Sequence, residues 1–291
     1  MPFQPVILIT DALFFLLTAG LISFVFIARS REHLRRPWQK VVKRTTGVVS
    51  LVVLLTFYSI AILDSLHFHP KLENSGDSDH QYSNEILSVL DIAMTPMRTH
   101  VEKTFSAPLS THLFSKEMVS YEDGSVEQIY PRLEYGGAHL VDPVQEKTGD
   151  ILKIILKAVV LALTLWLPAW LVIIYWRAKS TDQKYSDYLH STFKGETIYP
   201  LRAVAITSGI ITLIIVGTMS LGAQYHLFGT DKVGQDVFYQ TVKSIRTGIL
   251  IGSLTTLVML PVAIILGAMA GFFRGWVDDI IQYLYTTLNS I

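Results

Sequence analysis

Cysteine is absent from the 291 residues, which excludes a disulfide framework, a thiolate nucleophile and a cysteine-based metal site. Charge is scarce. Charged residues make up 16% of the chain while 50% is hydrophobic, a balance that points to membrane helices and away from one soluble core. The formal net charge is zero, so no nucleic-acid partner is implied. No Gly-x-x-x-x-Gly-Lys-[Ser/Thr] segment occurs, so the usual phosphate cradle for ATP is missing. No nucleophile–base arrangement stands out either, and the chain reads as a non-enzyme without a cofactor. Finally, no Lys or Arg precedes the first apolar run, whereas a cleaved signal peptide carries them there.

What the chain has is apolar runs of bilayer length, about 20 residues each. The first covers residues 5–28 and is followed by Arg29, Arg31, Arg35, Arg36, Lys40, Lys43 and Arg44. The positive-inside rule then places the N-terminus outside and this basic loop in the cytoplasm. An intramembrane acid is a functional candidate by default, but Asp11 lies near the outer end and is expected to reach lipid headgroups. The second span, about Gly47 to Leu66, returns outward, with Asp64 at the interface.

Residues 67–149 are polar and acidic, with Glu73, Asp77, Asp79, Glu85, Glu117, Glu122, Asp123 and Glu127 outnumbering Lys and Arg, as an external loop should be. Asn74 to Asn84 reads as a linker. Gly124, Pro131 and Gly136-Gly137 punctuate a small folded piece with short strands around Val126–Ile129. His67-Phe68-His69, His80, His100, His112 and His139 share this segment. An i, i+2 His pair ligates a metal only on a strand or loop with other ligands converging, and no metal site is assigned.

The third span, about 151–176, carries Lys153 and Lys157 at its outer end, Pro168 as an expected kink, and Trp166, Trp170, Tyr175 and Trp176 in its inner half. Arg177, Lys179 and Lys184 mark residues 177–202 as cytoplasmic. The fourth span runs from about Ala203 to Ala223 and the fifth from about Gly248 to Phe273. Arg274 and Gly275-Trp276 turn the chain on the cytoplasmic face, with Trp276 an interfacial anchor and Asp278 a helix N-terminal charge. A sixth span begins near Val277 and is incomplete at Ile291.

Between the fourth and fifth spans lies a polar hinge, His226-Leu-Phe-Gly229-Thr230-Asp231-Lys-Val-Gly234-Gln-Asp236. Thr230 or Asp231 is expected to cap a helix. Val233, Val237, Val242, Ile245 and Ile249 then fall near one face, away from most of Lys232, Asp236, Lys243 and Arg246. Such a helix would lie on the membrane surface and turn inward near Gly248. In the fifth span, Gly248-x-x-x-Gly252 and Gly267-x-x-x-Gly271 permit close helix packing, and Pro261 frees a carbonyl within it.

The pattern His-x-x-Gly-Thr-Asp-x-x-Gly-x-Asp, followed ten residues on by Arg246, resembles the second permease subunit of dipeptide/oligopeptide/nickel-type binding-protein-dependent ABC importers. The resemblance runs over about residues 200–291 through Gly252, Pro261, Gly267, Ala270-Gly271-Phe272 and Gly275-Trp276-Val277-Asp278. Gln235 replaces the usual Arg, and Tyr283 and Thr286 stand where the family tends to have Arg and Asp. It implies an inner-membrane, alternating-access transporter of peptides or similar small solutes. Its partners would be a second permease, two cytoplasmic ATPases, a periplasmic substrate-binding protein and membrane lipids. The family's later spans and ATPase-docking loop have no counterpart here, so the expectation is a C-terminally truncated permease unable to couple to ATP alone.

The expected fold is an all-α integral membrane protein of about six transmembrane helices, the last incomplete. It divides into a two-span module (1–66), a periplasmic acidic segment (67–149), a third span with cytoplasmic linker (150–200) and a partial permease domain (201–291). His226, Gly229, Thr230, Asp231, Gly234, Asp236 and Arg246 are candidates for translocation, docking or hinge geometry; Gly248, Gly252, Pro261, Gly267 and Gly271 for helix packing; and Gly275, Trp276 and Asp278 for the cytoplasmic turn. The alternatives are a membrane scaffold or relic whose periplasmic segment binds a partner, and a nickel or other metal importer.

Overall fold

A computed structural model describes residues 3–71, 82–120, 126–195, 197–273 and 275–290. Glu73, Asp77, Asp79, His80, Glu122, Asp123, Gly124, Arg274 and most of the Asn74–Asn84 linker fall outside them. The chain is an all-α membrane protein. Five helices among the described residues are long and apolar enough to cross a bilayer: α1 (Ile9–Ser30), α3 (Thr45–Ser65), α6 (Pro143–Ser180), α8 (Leu201–Gly222) and α9 (Val237–Phe273). Between them lie α2 (Glu32–Lys43), α4 (Val89–Ala93), α5 (Thr95–Thr99) and α7 (Tyr185–Lys194), with α10 (Trp276–Asn289) last. At about 1.5 Å per residue, the 14 residues of α10 reach about 21 Å, short of a roughly 30 Å hydrocarbon core.

Two small antiparallel sheets accompany the helices. β1 (Phe3–Val6) pairs with β2 (His67–Pro70), which pairs with β3 (Leu87–Ser88). β4 (Glu117–Ser120), which the sequence pattern does not mark, pairs with β5 (Val126–Ile129), where short strands are expected. The first apolar run therefore does not begin as helix. Pro5 sits in an edge strand, where its missing N–H costs no ladder bond, and α1 starts at Ile9.

Two helices greatly exceed a bilayer. α6 has 38 residues, beginning eight positions before the expected third span, because Asp142 caps it and Pro143 opens it: the Asp142 carboxylate accepts from Val144 N (3.0 Å) and Gln145 N (3.3 Å). The helix continues through Pro168. α9 has 37 residues and is helical on both sides of Gly248. Its cap is neither Thr230 nor Asp231. Asp236 Oδ1 accepts from Tyr239 N at 2.9 Å, and Val233 is left in the loop before the helix.

The chain forms two compact units, residues 1–246 and 247–291. In the first, Leu90, Met94 and Met97 form a buried cluster with Ile60, Met219, Phe238, Tyr239 and Val242 around it. Burying each such side chain contributes about 1.5–3 kcal/mol, and the cluster ties α3, α4, α5, α8 and the start of α9 together. Gly222 lets Met97 pack against α8: a Cβ there would lie 2.3 Å from Met97 Cε, and that side chain would have to shift. A second cluster of Trp170, Ile174 and Leu201 joins α6 to α8 and α7. Trp166 stacks on Trp170 at 6.1 Å and donates its indole N–H to Ser208 Oγ at 3.0 Å.

In the second unit, α9 continues through Pro261 to Phe273, and Gly275, at φ +61°, precedes α10. Asp278 and Asp279 fall in the first turn of α10, and Trp276 is exposed. A Cβ at Gly248, Gly252, Gly267 or Gly271 would meet no atom within 4 Å, so the small-residue faces are open among the described residues.

Candidate functional site

Residues 223–236 connect α8 to α9 and hold the hinge motif. The loop is tightly self-folded. Asp231 Oδ1 accepts from Val233 N and Gln235 N, both at 2.9 Å, and Gln240 Nε2 donates to Asp231 Oδ2 at 2.7 Å. The Gln240 bond, aided by the loop's N–H groups, holds the Asp231 carboxyl below its ordinary range against the opposing effect of burial. Gly229 and Gly234 take the left-handed conformation, at φ +77° and +79°.

The motif does not present a free edge. It is covered by the segment between the second and third long apolar helices. Glu102 N donates to Gly234 O at 2.9 Å, Leu109 N to His226 O at 2.9 Å, and Gly137 N to Gln224 O at 2.9 Å. Thr230 is buried, and its hydroxyl donates to Thr104 O at 2.7 Å. The approach is so close that a Cβ at Gly229 would lie 2.1 Å from Ser106 O. The glycines are therefore demanded twice over, by backbone conformation and by contact.

At the centre, His226 is held between two carboxylates. Its Nδ1 lies 2.8 Å from Asp236 Oδ2 and its Nε2 lies 3.2 Å from Glu102 Oε1. Carboxylates only accept, so both ring nitrogens carry protons and His226 is an imidazolium. Burial disfavours that charge, but Asp236 and Glu102 outweigh it and raise the pKa to about 9. Glu102 also accepts from the backbone N–H groups of Glu134 (2.8 Å), Tyr135 (2.9 Å) and Gly136 (3.0 Å). Burial opposes its ionisation, yet His226 and these N–H groups lower its pKa to about 2. Nearby, His100 stacks on Tyr135 with ring centroids 4.6 Å apart. Its own burial and the charge on His226 lower its pKa. With both His226 nitrogens occupied, neither can take a proton from a nucleophile. The arrangement is a clamp.

A second charged cluster lies beside the first turns of α9. Arg246 Nη2 is 2.9 Å from Asp11 Oδ1 and donates to Thr10 Oγ1 at 2.7 Å, while Nη1 lies 3.6 Å from Asp64 Oδ2. Lys243 Nζ donates to Asp91 Oδ1 at 2.8 Å and sits 3.7 Å from Asp64. His67 Nδ1 is 2.9 Å from Asp11 Oδ2. Asp91 also accepts from Tyr239 Oη (2.6 Å) and Ser88 N (2.9 Å). Burial opposes ionisation of Asp91, but Lys243 leads the groups that keep its pKa below the ordinary value.

This corrects two expectations. Asp11 does not reach lipid headgroups and Asp64, expected at the interface, is not open to it; they are 0% and 2% exposed, because cations on α9 offer them partners inside the protein. An open cleft of about 530 Å³ adjoins the cluster, lined among others by Glu85, Asp91, Arg98, Tyr239, Gln240 and Lys243.

Of the hinge residues singled out in the sequence, the structure brings His226, Gly229, Thr230, Gly234 and Asp236 into one buried contact. It sets Asp231 on the rim and Arg246 in the second cluster. Glu102, Asp91 and Lys243 were not singled out. Glu102 carries no local signal, since its partners lie 32 to 124 positions away. The histidines are dispersed: His69 Nδ1 meets Glu85 O, His112 meets Thr111, and His139 Nε2 meets Asp150. Among the described residues, no three His, Asp or Glu side chains converge as a metal site would require.

No protein-family model matches the chain, and no solved structure matches it. Among curated proteins it is 32% identical over 63 residues to the oligopeptide transport system permease protein OppC of Mycobacterium tuberculosis (strain ATCC 25618 / H37Rv), covering 22% of each chain. It is 33% identical over 66 residues to the dipeptide transport system permease protein DppC of Bacillus subtilis (strain 168), covering 23% of this chain and 21% of that one. It is 25% identical over 107 residues to the glutathione transport system permease protein GsiD of Pectobacterium atrosepticum, covering 29% of this chain and 35% of that one. The chain thus spans about a fifth to a third of the length of these relatives. Part of it is similar to transport-system permeases.

Proposed function

We propose that this chain is part of a permease subunit of a bacterial ABC importer for peptides or similar small solutes. It would act in the inner membrane with a second permease, two cytoplasmic ATPases and a periplasmic binding protein. The observation that carries the reading is the similarity to permeases of oligopeptide, dipeptide and glutathione transport systems. The long apolar helices, with the hinge motif leading into α9, support it.

Residues 67–149 are, on this reading, the periplasmic segment between a two-span module (1–66) and the third span with its cytoplasmic linker (150–200), and residues 201–291 belong to the transport domain. The segment braces the mouth of α9 through Glu102 and His226. The hinge motif then serves as a fixed anchor from which α9 enters the membrane, and bound peptide is met elsewhere along the path. The open glycine faces at Gly248, Gly252, Gly267 and Gly271 suit close contact with the second permease, whose helices would flank them during alternating access. Gly275, Trp276 and Asp278 set the turn on the cytoplasmic side.

One observation favours a scaffold reading: the motif's backbone is already occupied by Glu102–Leu109, which closes it to an incoming protein edge. Isolation of the protein from native membranes in a mild detergent, with identification of what accompanies it, separates the two. An importer brings an ATPase and a second permease in fixed ratio. A scaffold brings neither.

A further inference from the structure

The twelve residues of α2 connect two membrane-spanning helices, so α2 lies at a membrane surface whichever side that is. Its sequence separates cleanly into two faces. Leu34, Pro37, Trp38, Val41 and Val42 recur at i, i+3, i+4, i+7 and i+8 and form one apolar stripe. Arg36, Lys40 and Lys43 occupy the opposite side and Arg35 borders the stripe beside Val42, with Arg31 and Arg44 at the two ends and Arg29 in the last turn of α1. Against these seven cations stands one acid, Glu32, already bonded to Arg36 at 2.7 Å.

Two features fix α2 rigidly enough for its faces to matter. Trp38 packs edge-on against Phe24 of α1, with ring centroids 6.2 Å apart. At the other end, a Cβ on Gly47 would lie 2.4 Å from Val41 O, so the corner between α2 and α3 closes on a glycine. No residue of α2 is buried, and Trp38 and Val41 remain 51% and 43% exposed. Leu34 and Val42 are half-buried, while Trp38, Val41 and the cations are left exposed.

We propose that α2 is an in-plane helix that binds anionic phospholipids, seating Leu34, Trp38 and Val41 among the acyl chains and holding lipid phosphates with Arg35, Lys40, Lys43 and Arg44. The chemistry on both faces calls for that occupant: an amphipathic helix with aliphatic and aromatic residues below and clustered Lys and Arg above binds a charged bilayer interface. A cytoplasmic protein would satisfy the cations but leave the apolar stripe in lipid without a role. The proposal is independent of transport and holds equally for a scaffold.

The test is native mass spectrometry of the full chain released from vesicles of phosphatidylcholine with 30% phosphatidylglycerol. Wild type should retain phosphatidylglycerol in excess over its share of the vesicle, and 0.5 M salt should remove the excess. Arg35→Gln, Lys40→Gln and Lys43→Gln combined should remove the excess, lowering affinity for phosphatidylglycerol on the order of a hundredfold, given what each cation contributes near an anionic surface. The charge-preserving set Arg35→Lys, Lys40→Arg and Lys43→Arg should retain lipid as wild type does, which guards against a misfolded variant. Retention in proportion to vesicle composition, or equal retention by the glutamine variant, would overturn the proposal. So would salt-sensitive capture of a protein by α2 in place of lipid.

Discussion

Gly234 stands so close to Glu102 that a Cβ on the glycine would lie 1.7 Å from the Glu102 carbonyl oxygen. The two residues are far apart in sequence, and the glycine N–H and C=O both take part in the turn and the bridge. The contact fixes the register between the hinge loop and the segment that covers it.

Gly234→Ala is therefore expected to destabilise the first unit by about 2–5 kcal/mol, from a left-handed backbone penalty and from overpacking. Gly229→Ala should behave similarly, since its Cβ would meet Ser106 O. Gly217→Ala, on α8 with nothing within 4 Å, should be neutral or slightly stabilising. Thermal unfolding in detergent, followed by a dye sensitive to exposed apolar surface, distinguishes the three.

The Glu102–His226–Asp236 clamp makes stability depend on pH with a defined sign. His226 has its pKa raised from 6.5 to about 9, so its contribution is full below pH 6.5 and is lost as pH climbs through 9. Glu102 has its pKa lowered from 4.5 to about 2, so its contribution is full above pH 4.5 and is lost as pH falls toward 2. The melting temperature should hold a plateau between these windows and decline from about pH 7 upward. Glu102→Gln should lower the plateau and flatten that alkaline decline, because His226 then keeps one anionic partner.

Removing one partner from the second cluster should cost more than removing a pair. Arg246→Ala removes the guanidinium from buried Asp11 and Asp64, leaving His67 beside Asp11 and Lys243 at 3.7 Å from Asp64, for an expected loss of about 3 kcal/mol. Asp11→Asn in the Arg246→Ala background should restore part of it. Unfolding of the single and double variants gives the coupling directly, and additive losses would contradict the pairing.

Trp166→Phe removes the indole donor to Ser208 while keeping most of the stacked surface. It should cost about 1 kcal/mol, and Ser208→Ala should add little to it.

Much of this architecture is legible in the chain itself, because lipid demands long apolar runs and each run forms its own helix. The apolar runs, the short strand at Val126–Ile129 and the hinge were all readable by period, length or motif. What escaped were relationships set by tertiary partners. Asp11 and Asp64 look like interfacial acids until Arg246 and Lys243 are placed beside them. The cap of α9 moved from Thr230 or Asp231 to Asp236, because Thr230 is committed to Thr104 and Asp231 to its own turn. Glu102 offered no clue at all, since nothing in its neighbourhood in sequence signals a partner such as His226.

The most direct test of the transport reading is uptake of labelled di- and tripeptides by cells lacking the gene, resupplied with the wild-type gene or its Gly234→Val variant. Deletion should abolish uptake of a defined subset, wild type should restore it, and the variant should not. Uptake unchanged by deletion across a broad panel of peptides would contradict the assignment as a peptide permease.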